Sequence, residues 1–258
     1  MVQTHAIRKV SELSLFFRND DVTELTPHLQ EMTQLFLEWG VPLHHAVIPG
    51  RSTDGLAKWL LQLAESRPDL IGIDMHGWKH ESYGGLPEFG AHVPEGIQKD
   101  YLILGQRWMV ERLGPFFSGV FVPPHGSYNR TTVSLLDQLG FKALSACART
   151  DSLRSRIIGP IRYHLNRGEL PSWNGRRFPR SRVLQCSTTF DPVIDYHSRR
   201  VLGNSEFLTM IGTDKPALQG ICLHHWVFND ESRMEWVRTL LDEIRGRNIL
   251  KMGDLLNR

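Results

Sequence analysis

The stretch Leu13-Ser14-Leu15-Phe16-Phe17-Arg18-Asn19-Asp20-Asp21 contains a short apolar run that ends in four polar residues. The run 13–17 is too short for a helix and has the length of a buried strand. Two consecutive aspartates stand at the end of the polar stretch. The sequence therefore predicts a buried strand whose carboxyl end carries Asp20 and Asp21.

Short apolar runs and amphipathic stretches alternate through most of the remaining chain. Apolar residues recur at helical spacing over 25–39 up to Gly40, and a later helical pattern ends at Gly114 and Pro115, which are helix stop signals. Further strands are predicted at 43–48, 70–75, 119–122, 141–145, 183–187 and 220–224, and further helices at 53–66, 97–113, 129–139 and 231–245. Repeated strand–helix units predict a parallel sheet with helices packed outside it, either open or closed into a barrel.

The stretch 149–182 departs from this alternation. It is rich in Arg, Pro and Gly and has weak periodicity, which indicates a loop-rich insertion. Four arginines form a basic cluster in this stretch: Arg176, Arg177, Arg180 and Arg182. The simplest interpretation is that solvent surrounds this cluster, although a phosphate or uronate group on a substrate would also fit it. Since no repeat or linker divides the chain, we expect one domain over residues 1–258.

The composition excludes several classes of protein. Hydrophobic residues make up 41% of the 258 residues and charged residues 22%, which is typical of a globular chain. With 30 Lys+Arg against 28 Asp+Glu, the charge of +2 gives no reason to propose nucleic acid or an anionic membrane as partner. Three cysteines are too few for a disulfide framework or a cysteine-based zinc site. Residues 1–10 contain no stretch resembling a signal peptide and no apolar run could span a bilayer, so we expect a soluble, cytoplasmic protein.

Unusual polar residues follow four of the predicted strands. Because the carboxyl ends of parallel strands meet at one edge, these segments should converge on one rim. The segments are Asp20-Asp21, His76 with His80, Pro123-Pro124-His125, and His224-His225.

The rim residues have the chemistry of a catalytic metal site. Taken singly, paired aspartates often cap a helix and histidines often pack or bond a turn. Together, His76, His80 and one carboxylate form a facial ligand set that leaves positions open on a divalent ion. Such an ion lowers the pKa of water toward about 7, the second aspartate can act as base, and His224 or His225 can protonate a leaving group. The set is sufficient for metal-assisted hydrolysis of an amide or ester.

In this order the motifs resemble those of the polysaccharide deacetylase family, the NodB-homology domain of carbohydrate esterase family 4. The family's Thr-Phe-Asp-Asp-Gly motif is similar to residues 17–22, and its His-x-x-x-His motif to residues 76–80. Its Arg-Pro-Pro-x-Gly-x-x-Asn motif is similar to residues 122–129, and its last motif to Leu223-His224. The resemblance spans about residues 13 to 250.

The resemblance implies an α/β fold, a distorted (β/α) barrel of about seven parallel strands. It also implies zinc or a similar divalent ion and removal of acetyl groups from an acetylated sugar or glycan. By the resemblance, Asp20 is the catalytic base, and Asp21, His76 and His80 are the metal ligands. His224 is the acid, with His225 as the alternative.

Three departures indicate a divergent branch. The arginine that heads the third motif, and helps to hold the catalytic aspartate in the family, is Val122 here. The fourth motif, an aspartate-containing segment, has no clean match; Asp191 and Asp195 are candidates. The residue after the last motif's histidine, often aspartate in the family, is His225.

Several residues are candidates for substrate binding or for the core. Trp78 and Trp226 adjoin the proposed site and can stack on a sugar ring or fill the core. The other candidates for substrate binding are Pro124, His125 and Tyr128. For His44 and His45 in the second strand, core packing or a hydrogen bond is favoured over metal binding.

The expected function is therefore a metal-dependent deacetylase acting on an acetylated amino sugar or glycan precursor. One alternative is an amidase on a non-sugar amide such as a cyclic ureide. Another is a carbohydrate-binding pseudoenzyme. A two-histidine, one-carboxylate iron oxygenase uses the same ligands, but that class commonly has a double-stranded β-fold and a carboxylate close to the first histidine.

Overall fold

The elements follow the strand–helix alternation expected from the sequence. The structure is a computed structural model that describes residues 14–147, 153–168, 174–211 and 218–256. Leu13 and the amino-terminal residues 1–10 discussed above lie outside the described residues. The strands are β1 (Ser14–Val22), β2 (Leu43–Val47), β3 (Ile71–His76), β4 (Phe117–Val122), β5 (Ala143–Leu144), β6 (Arg176–Arg177), β7 (Leu184–Gln185), β8 (Val193–Asp195), β9 (Arg200–Val201), β10 (Leu218–Leu223) and β11 (Asn248–Ile249). The helices are α1 (Pro27–Glu38), α2 (Asp54–Ser66), α3 (Glu95–Leu113), α4 (Arg130–Gln138), α5 (Leu153–His164), α6 (Asn204–Met210), α7 (Glu231–Glu243) and α8 (Met252–Leu256).

The main sheet closes into a barrel. Among the described strands, its order is β10-β1-β2-β3-β4-β5-β7 with parallel pairing at each step, and β6 adds to β7 in the antiparallel sense. The two ends meet where Phe190, just after β7, forms a parallel bridge with Ile221 in β10. The N–H of Cys222 donates to the Phe190 carbonyl oxygen at 2.8 Å. Seven parallel strands thus form the distorted (β/α) barrel that the resemblance implies, and this prediction is confirmed.

Side-chain caps fix the start of three helices that follow barrel strands. Thr26 caps α1, Thr53 caps α2 and Asn129 caps α4, each by accepting a backbone N–H bond. Asn129 and Thr132 also bond reciprocally as a capping box. Each cap stabilises its helix by about 1 kcal/mol. The caps set the turns from strand to helix at the carboxyl rim, where the site residues lie.

Side chains on β1 alternate between the outside and the inside of the barrel. Phe17 packs outward on Phe36 of α1, with ring centroids 5.2 Å apart. Phe16 belongs to an inner cluster with Val120 and with Met252 of α8. Each of these fully buried phenylalanines stabilises the fold by about 1.5–3 kcal/mol. The alternation leaves the next inward positions, Arg18 and Asp20, inside the barrel.

A polar network lies inside the barrel. The Nδ1 atom of His44 lies 3.0 Å from the Asp74 carboxylate, and the Ser118 hydroxyl donates to the same carboxylate at 2.6 Å. The backbone N–H of Met252 donates to His44 Nε2 at 2.9 Å. Because Nε2 accepts, Nδ1 carries the proton and donates to Asp74. His44 is therefore a core histidine, the role that the sequence favoured.

The stretch 149–182, predicted to be a loop-rich insertion, also contains regular secondary structure. Residues 153–164 form helix α5, and β6 lies within the same stretch. Pro160 inside α5 lowers helix propensity, but the buried Tyr163 stacks on Phe178 at 5.9 Å and ties the helix to the core. Residues 149–152 and 169–173 of this stretch lie outside the described residues.

The basic cluster of that stretch lies away from the rim. Arg182 precedes β7 and pairs with Asp137 of α4 at 2.9 Å. It therefore stands at the amino end of the parallel strands, opposite the carboxyl rim. The structure does not support the idea that this cluster binds a charged group of a substrate at the rim.

Two further expectations concern membranes and cysteines. None of the helices in the described ranges is both long and apolar enough to cross a membrane. Cys147, Cys186 and Cys222 are free thiols.

Candidate metal and catalytic site

Three of the predicted ligands converge at the carboxyl rim. Asp21 Oδ1 lies 3.3 Å from His76 Nε2 and 3.5 Å from His80 Nε2. Asp21 lies near the carboxyl end of β1, His76 ends β3, and His80 lies in the loop after β3. Burial alone would raise the pKa of Asp21, but the hydrogen bond and the charges of the histidines hold it below its usual range. The residues that the sequence singled out therefore come together.

A bulge in β1 makes this convergence possible. In a regular strand, consecutive side chains point to opposite faces. The register against β2 shifts between Asn19 and Val22, so that β1 holds one extra residue there. Asp21 lies in the bulge with φ of 62°. The bulge lets Asp20 and Asp21 both reach the rim.

Three residues at the site have left-handed backbone conformations. Among the described residues, the non-glycine residues with left-handed φ include Asp21, His80 and His125. Such conformations cost about 1–3 kcal/mol each and persist only where the surroundings impose them. At Asp21 and His80 this strained backbone holds two of the candidate ligands.

Neighbouring groups hold the ligands in place. His76 Nδ1 lies 3.0 Å from the Val122 carbonyl oxygen, and this contact orients the ring so that Nε2 faces Asp21. The indole N–H of Trp226 donates to Asp21 Oδ2 at 3.1 Å. These bonds fix the donor atoms of His76 and Asp21 before any ion binds.

The loop that carries His80 is organised by Glu88. This buried carboxylate accepts the backbone N–H groups of Trp78, Lys79 and His80 at 2.9 to 3.2 Å. A Cβ atom on Gly77 would lie 2.4 Å from the Glu88 carboxylate, so the turn requires glycine. Glu88 is therefore a positioning residue for the second histidine.

The donor set fits a divalent ion. Zinc binds imidazole nitrogen and carboxylate oxygen at about 2.0–2.2 Å, which places neighbouring donors about 3 Å apart. The three donors of Asp21, His76 and His80 lie within 4.8 Å of one another. A second group of donors, from Asp20, Cys222 and His224, is equally compact, but the Arg18 guanidinium already occupies the Asp20 carboxylate. The Asp21 group is the one that suits a cation.

The predicted base, Asp20, forms a bidentate ion pair with Arg18. The guanidinium Nε and Nη2 donate to the two carboxylate oxygens at 2.6 and 2.8 Å. Nη1 also donates to the side chain of Ser145 at 2.6 Å, and both ionic groups are buried. Burial alone would raise the pKa of Asp20, but the guanidinium outweighs it and holds the pKa below its usual range. Arg18 thus gives Asp20 a guanidinium partner although position 122 is valine.

The register of β10 distinguishes the two histidines that follow it. His224 Nε2 lies 3.9 Å from Asp21 Oδ2 and its ring faces the ligand set. The His225 backbone N–H donates to Asn19 Oδ1 at 2.9 Å, and His225 Nδ1 lies 3.3 Å from the same oxygen. Both histidines are buried, but the ring of His224 lies beside the candidate ligand Asp21, whereas the ring of His225 contacts Asn19.

A hairpin formed by β8 and β9 covers His224. The Tyr196 ring packs edge-on against the His224 ring at 4.9 Å, and its hydroxyl lies 3.5 Å from His224 Nδ1. The same hydroxyl donates to Asp191. Of the two aspartates considered for the missing fourth motif, Asp191 therefore reaches His224 through Tyr196. Asp195 instead accepts bonds from the exposed turn at His197 and Ser198.

Of the other residues predicted to bind substrate, Trp226 and His125 lie beside the candidate ligands, whereas Pro124 and Trp78 pack against glycines. Trp226 lines a 350 Å³ pocket beside Asp21 and His80, and the exposed His125 lies 4.6 Å from the His80 ring. Pro124 is buried against Gly77, and Trp78 packs on Gly50.

Tyr128, the remaining residue predicted to bind substrate, does not line this pocket. Its ring is buried and packs at 5.9 Å against Phe178, so it belongs to the core.

The overall structure was compared with known proteins. A protein described as a polysaccharide deacetylase from Mycobacterium smegmatis superposes with a TM-score of 0.65 and 13% identity, over 96% of this chain and 91% of that one. A family 4 acetyl xylan esterase from Clostridium thermocellum, in complex with a cobalt ion, gives 0.59 and 11%, over 95% and 90%. This chain has the fold of the polysaccharide deacetylases and family 4 carbohydrate esterases.

The same fold also occurs without activity. A family 4 carbohydrate esterase pseudoenzyme from Bacillus anthracis matches with a TM-score of 0.55 and 13% identity, over 95% of this chain and 66% of that one. At the level of sequence, the chain matches no protein-family model and no curated protein. The deacetylase fold is therefore shared at very low sequence identity.

Sequence reasoning missed three residues of the site: Arg18, Glu88 and Tyr196. The role of Arg18 could have been predicted from the sequence. Residues i and i+2 of a strand point to the same face, so Arg18 shares a face with Asp20. Glu88 lies in a loop and Tyr196 lies in a short hairpin, and neither has a periodic pattern around it. Only the folded chain shows what they contact.

Proposed function

We propose that this chain is a divergent family 4 carbohydrate esterase, a metal-dependent hydrolase that removes an acetyl or related acyl group from an amino sugar or glycan precursor. The proposal depends on one observation, the convergence of Asp21, His76 and His80 at separations of 3.3 and 3.5 Å from the shared carboxylate oxygen. The ion-paired Asp20 beside them and the shared fold support it.

The ligands of the proposed ion are Asp21, His76 and His80. Their nitrogen and oxygen donors suit zinc or a similar divalent ion. When bound, such an ion would supply Lewis-acid polarisation of the acyl carbonyl. Trp226 and the Val122 carbonyl keep the donor atoms in position.

Asp20 is proposed to act as the base. Its carboxylate accepts a proton from the attacking water as the water oxygen bonds to the acyl carbon. The Arg18 guanidinium keeps Asp20 ionised and orients both oxygens. Asp20 is thus held in the form that accepts a proton.

His224 is proposed to act as the acid. As the bond from the acyl carbon to the leaving nitrogen breaks, His224 Nε2 donates a proton to that nitrogen, and the products are the free amine and the carboxylic acid. Tyr196 packs on the imidazole ring and holds its orientation. His225 is the less suitable acid because Asn19 binds its ring.

The substitution Asp20→Asn tests this assignment. The amide cannot accept the proton, so we expect kcat/KM for deacetylation to fall by about 10²–10⁴. The metal content should stay at the wild-type value because Asp20 is not among the proposed ligands. Acetate release and elemental analysis of the same sample measure both. Full activity in this variant would remove Asp20 from its role.

A carbohydrate-binding protein without activity is the second candidate. Val122 in place of arginine and the pseudoenzyme with the same fold favour it. Acetate release from N-acetylated amino sugars separates the two candidates. Release of acid from non-sugar amides alone would instead favour an amidase with the same residues.

A further inference from the structure

The pocket beside the proposed metal ligands contains two arginines that the catalytic scheme does not use. The pocket has a volume of 350 Å³, and its wall includes Asp21, His80 and Trp226. Arg51 and Arg199 line the same space. A pocket of this size is at the small end of the range for ligand sites, which suits one sugar unit with its substituents better than a long chain.

Neither guanidinium is paired with a carboxylate within the described part of the chain. Arg51 and Arg199 form no ion pair with a carboxylate there, whereas many other arginines do, such as Arg182 with Asp137. Arg51 lies at the end of the short turn Pro49–Arg51, and its side chain is exposed. Both charges are therefore available to a ligand.

The backbone and an aromatic ring present Arg199 to the pocket. Its guanidinium lies 5.9 Å from the centroid of the Trp226 ring. Trp226 in turn donates to Asp21, so Arg199 is connected through one ring to a proposed ligand. The residue has φ of 53°, a conformation that the β8–β9 hairpin imposes. A cation–π contact of this kind leaves the N–H edge of the guanidinium free to bind an anion.

The charge balance of the pocket favours an anionic ligand. Asp21 and Glu24 also line it, so the two arginines balance two carboxylates. A divalent ion on Asp21 would therefore leave a net positive charge. Guanidinium groups bind carboxylate and phosphate oxygens by charge-assisted hydrogen bonds.

We propose that the pocket selects an acylated amino sugar that carries an anionic group, a carboxylate or a phosphate, which Arg51 and Arg199 bind. This inference rests on the proposed function and names the substrate class of the same site.

The test measures binding separately from turnover. Calorimetry compares three deacetylated sugars on the metal-loaded protein: glucosamine, glucosamine 6-phosphate and muramic acid, which carries a carboxylate. We expect one or both anionic sugars to bind at least about tenfold more tightly than glucosamine. The preference should weaken as salt is raised, because both arginines are exposed. If only one of the two anionic sugars binds more tightly than glucosamine, the result shows whether the pocket recognises a phosphate or a carboxylate.

Variants assign the preference to the pocket. The double variant Arg51→Gln/Arg199→Gln should lose it. Arg247→Gln is the matched control, because Arg247 is exposed and lies just before β11 at the amino end of β1. Equal binding of all three sugars, or an unchanged preference in the double variant, would overturn the inference.

Turnover of the N-acetylated forms separates this inference from the proposed function. If acetate is released equally well from neutral and anionic sugars, the deacetylase assignment holds and the charge selectivity is wrong. If no sugar is hydrolysed while the anionic preference persists, the proposed function fails and the binding site remains.

Discussion

At the scale of single residues, the Arg18–Asp20 pair is the feature that most affects the proposed chemistry. A buried carboxylate needs a partner, and here the partner comes from two residues earlier on the same strand. In the family that the sequence resembles, the corresponding arginine belongs to the third motif, where this chain has Val122. The ion pair in this chain therefore uses an arginine at a different position. Its effect is the same, since it holds the aspartate in the ionised form.

Removing Arg18 should destabilise the fold strongly. The substitution Arg18→Met leaves the buried Asp20 carboxylate without its positively charged partner, which typically costs about 3–5 kcal/mol of unfolding free energy. Adding Asp20→Asn to this variant should recover part of the loss, because the uncompensated charge disappears. Urea denaturation measures both. Arg67→Met, which breaks the exposed pair with Asp69, is the control and should cost less than about 1 kcal/mol. A loss of less than about 1 kcal/mol for Arg18→Met would show that the Arg18–Asp20 pair does not stabilise the fold.

His45 is a second residue whose environment has a measurable consequence. Asn19 Oδ1 accepts from His225, so its Nδ2 faces His45 Nδ1 as a donor. The Thr33 hydroxyl donates to the Leu29 carbonyl, so it accepts from His45 Nε2. The contact with Asn19 requires the neutral ring, because a protonated Nδ1 could not accept that hydrogen bond. Burial and the nearby His225 and His44 lower the pKa of His45 from 6.5 to about 3.

This shift makes the stability depend on pH. Below pH 6.5 the unfolded chain binds a proton at His45 and the folded chain does not. The stabilisation is therefore complete above pH 6.5 and is lost as the pH falls toward about 3. Between pH 6.5 and pH 5 the loss should be about 2 kcal/mol. Denaturant unfolding at both pH values, on the wild type and on His45→Gln, measures it. An equal loss in the two proteins would contradict this account, and the exposed His164→Gln serves as control.

The residue types and spacing of the metal site could be predicted from the sequence, because the aspartate pair and the His-x-x-x-His motif both follow strands. The bulge that turns Asp21 toward the histidines could not, since it depends on the register of β1 against β2. The choice between His224 and His225 depends on register in the same way.

At the scale of elements, the β8–β9 hairpin is the most informative part of the molecule. It follows the strand that closes the barrel, and it brings Tyr196 onto His224 and Arg199 onto Trp226. The sequence gives no alternation long enough to predict it. Helix α5 was missed for a related reason, since its Pro160 and its weak periodicity conceal an element held by tertiary packing.

The hairpin's contribution to catalysis can be measured with Tyr196→Phe. This variant keeps the ring packing and removes the hydroxyl that bonds Asp191 and approaches His224. We expect kcat to fall by about three- to tenfold, the effect of one hydrogen bond, with a smaller change in KM. Steady-state deacetylation gives both constants. Tyr163→Phe, on the distant α5, is the control, and an unchanged kcat in Tyr196→Phe would show that the hydroxyl has no role.

At the scale of the whole molecule, the closed barrel unites the site. The sequence predicts parallel strands but leaves open whether the sheet closes. Closure depends on the bridge between Phe190 and Ile221, and strands β5 and β7 are only two residues long. These features have no sequence signal of their own. The strand order nevertheless brings segments more than 200 residues apart, Asp20 and Cys222, to within 3.3 Å.

The central claim is that this barrel binds one divalent ion through Asp21, His76 and His80. The most direct test is elemental mass spectrometry of the purified protein after reconstitution with zinc, beside Asp21→Ala and His80→Ala. The exposed His164→Ala is the matched control. The account predicts close to one equivalent of metal in the wild type and the control, and loss of the metal in both ligand variants. No bound metal in the wild type, or full retention in the ligand variants, would contradict it.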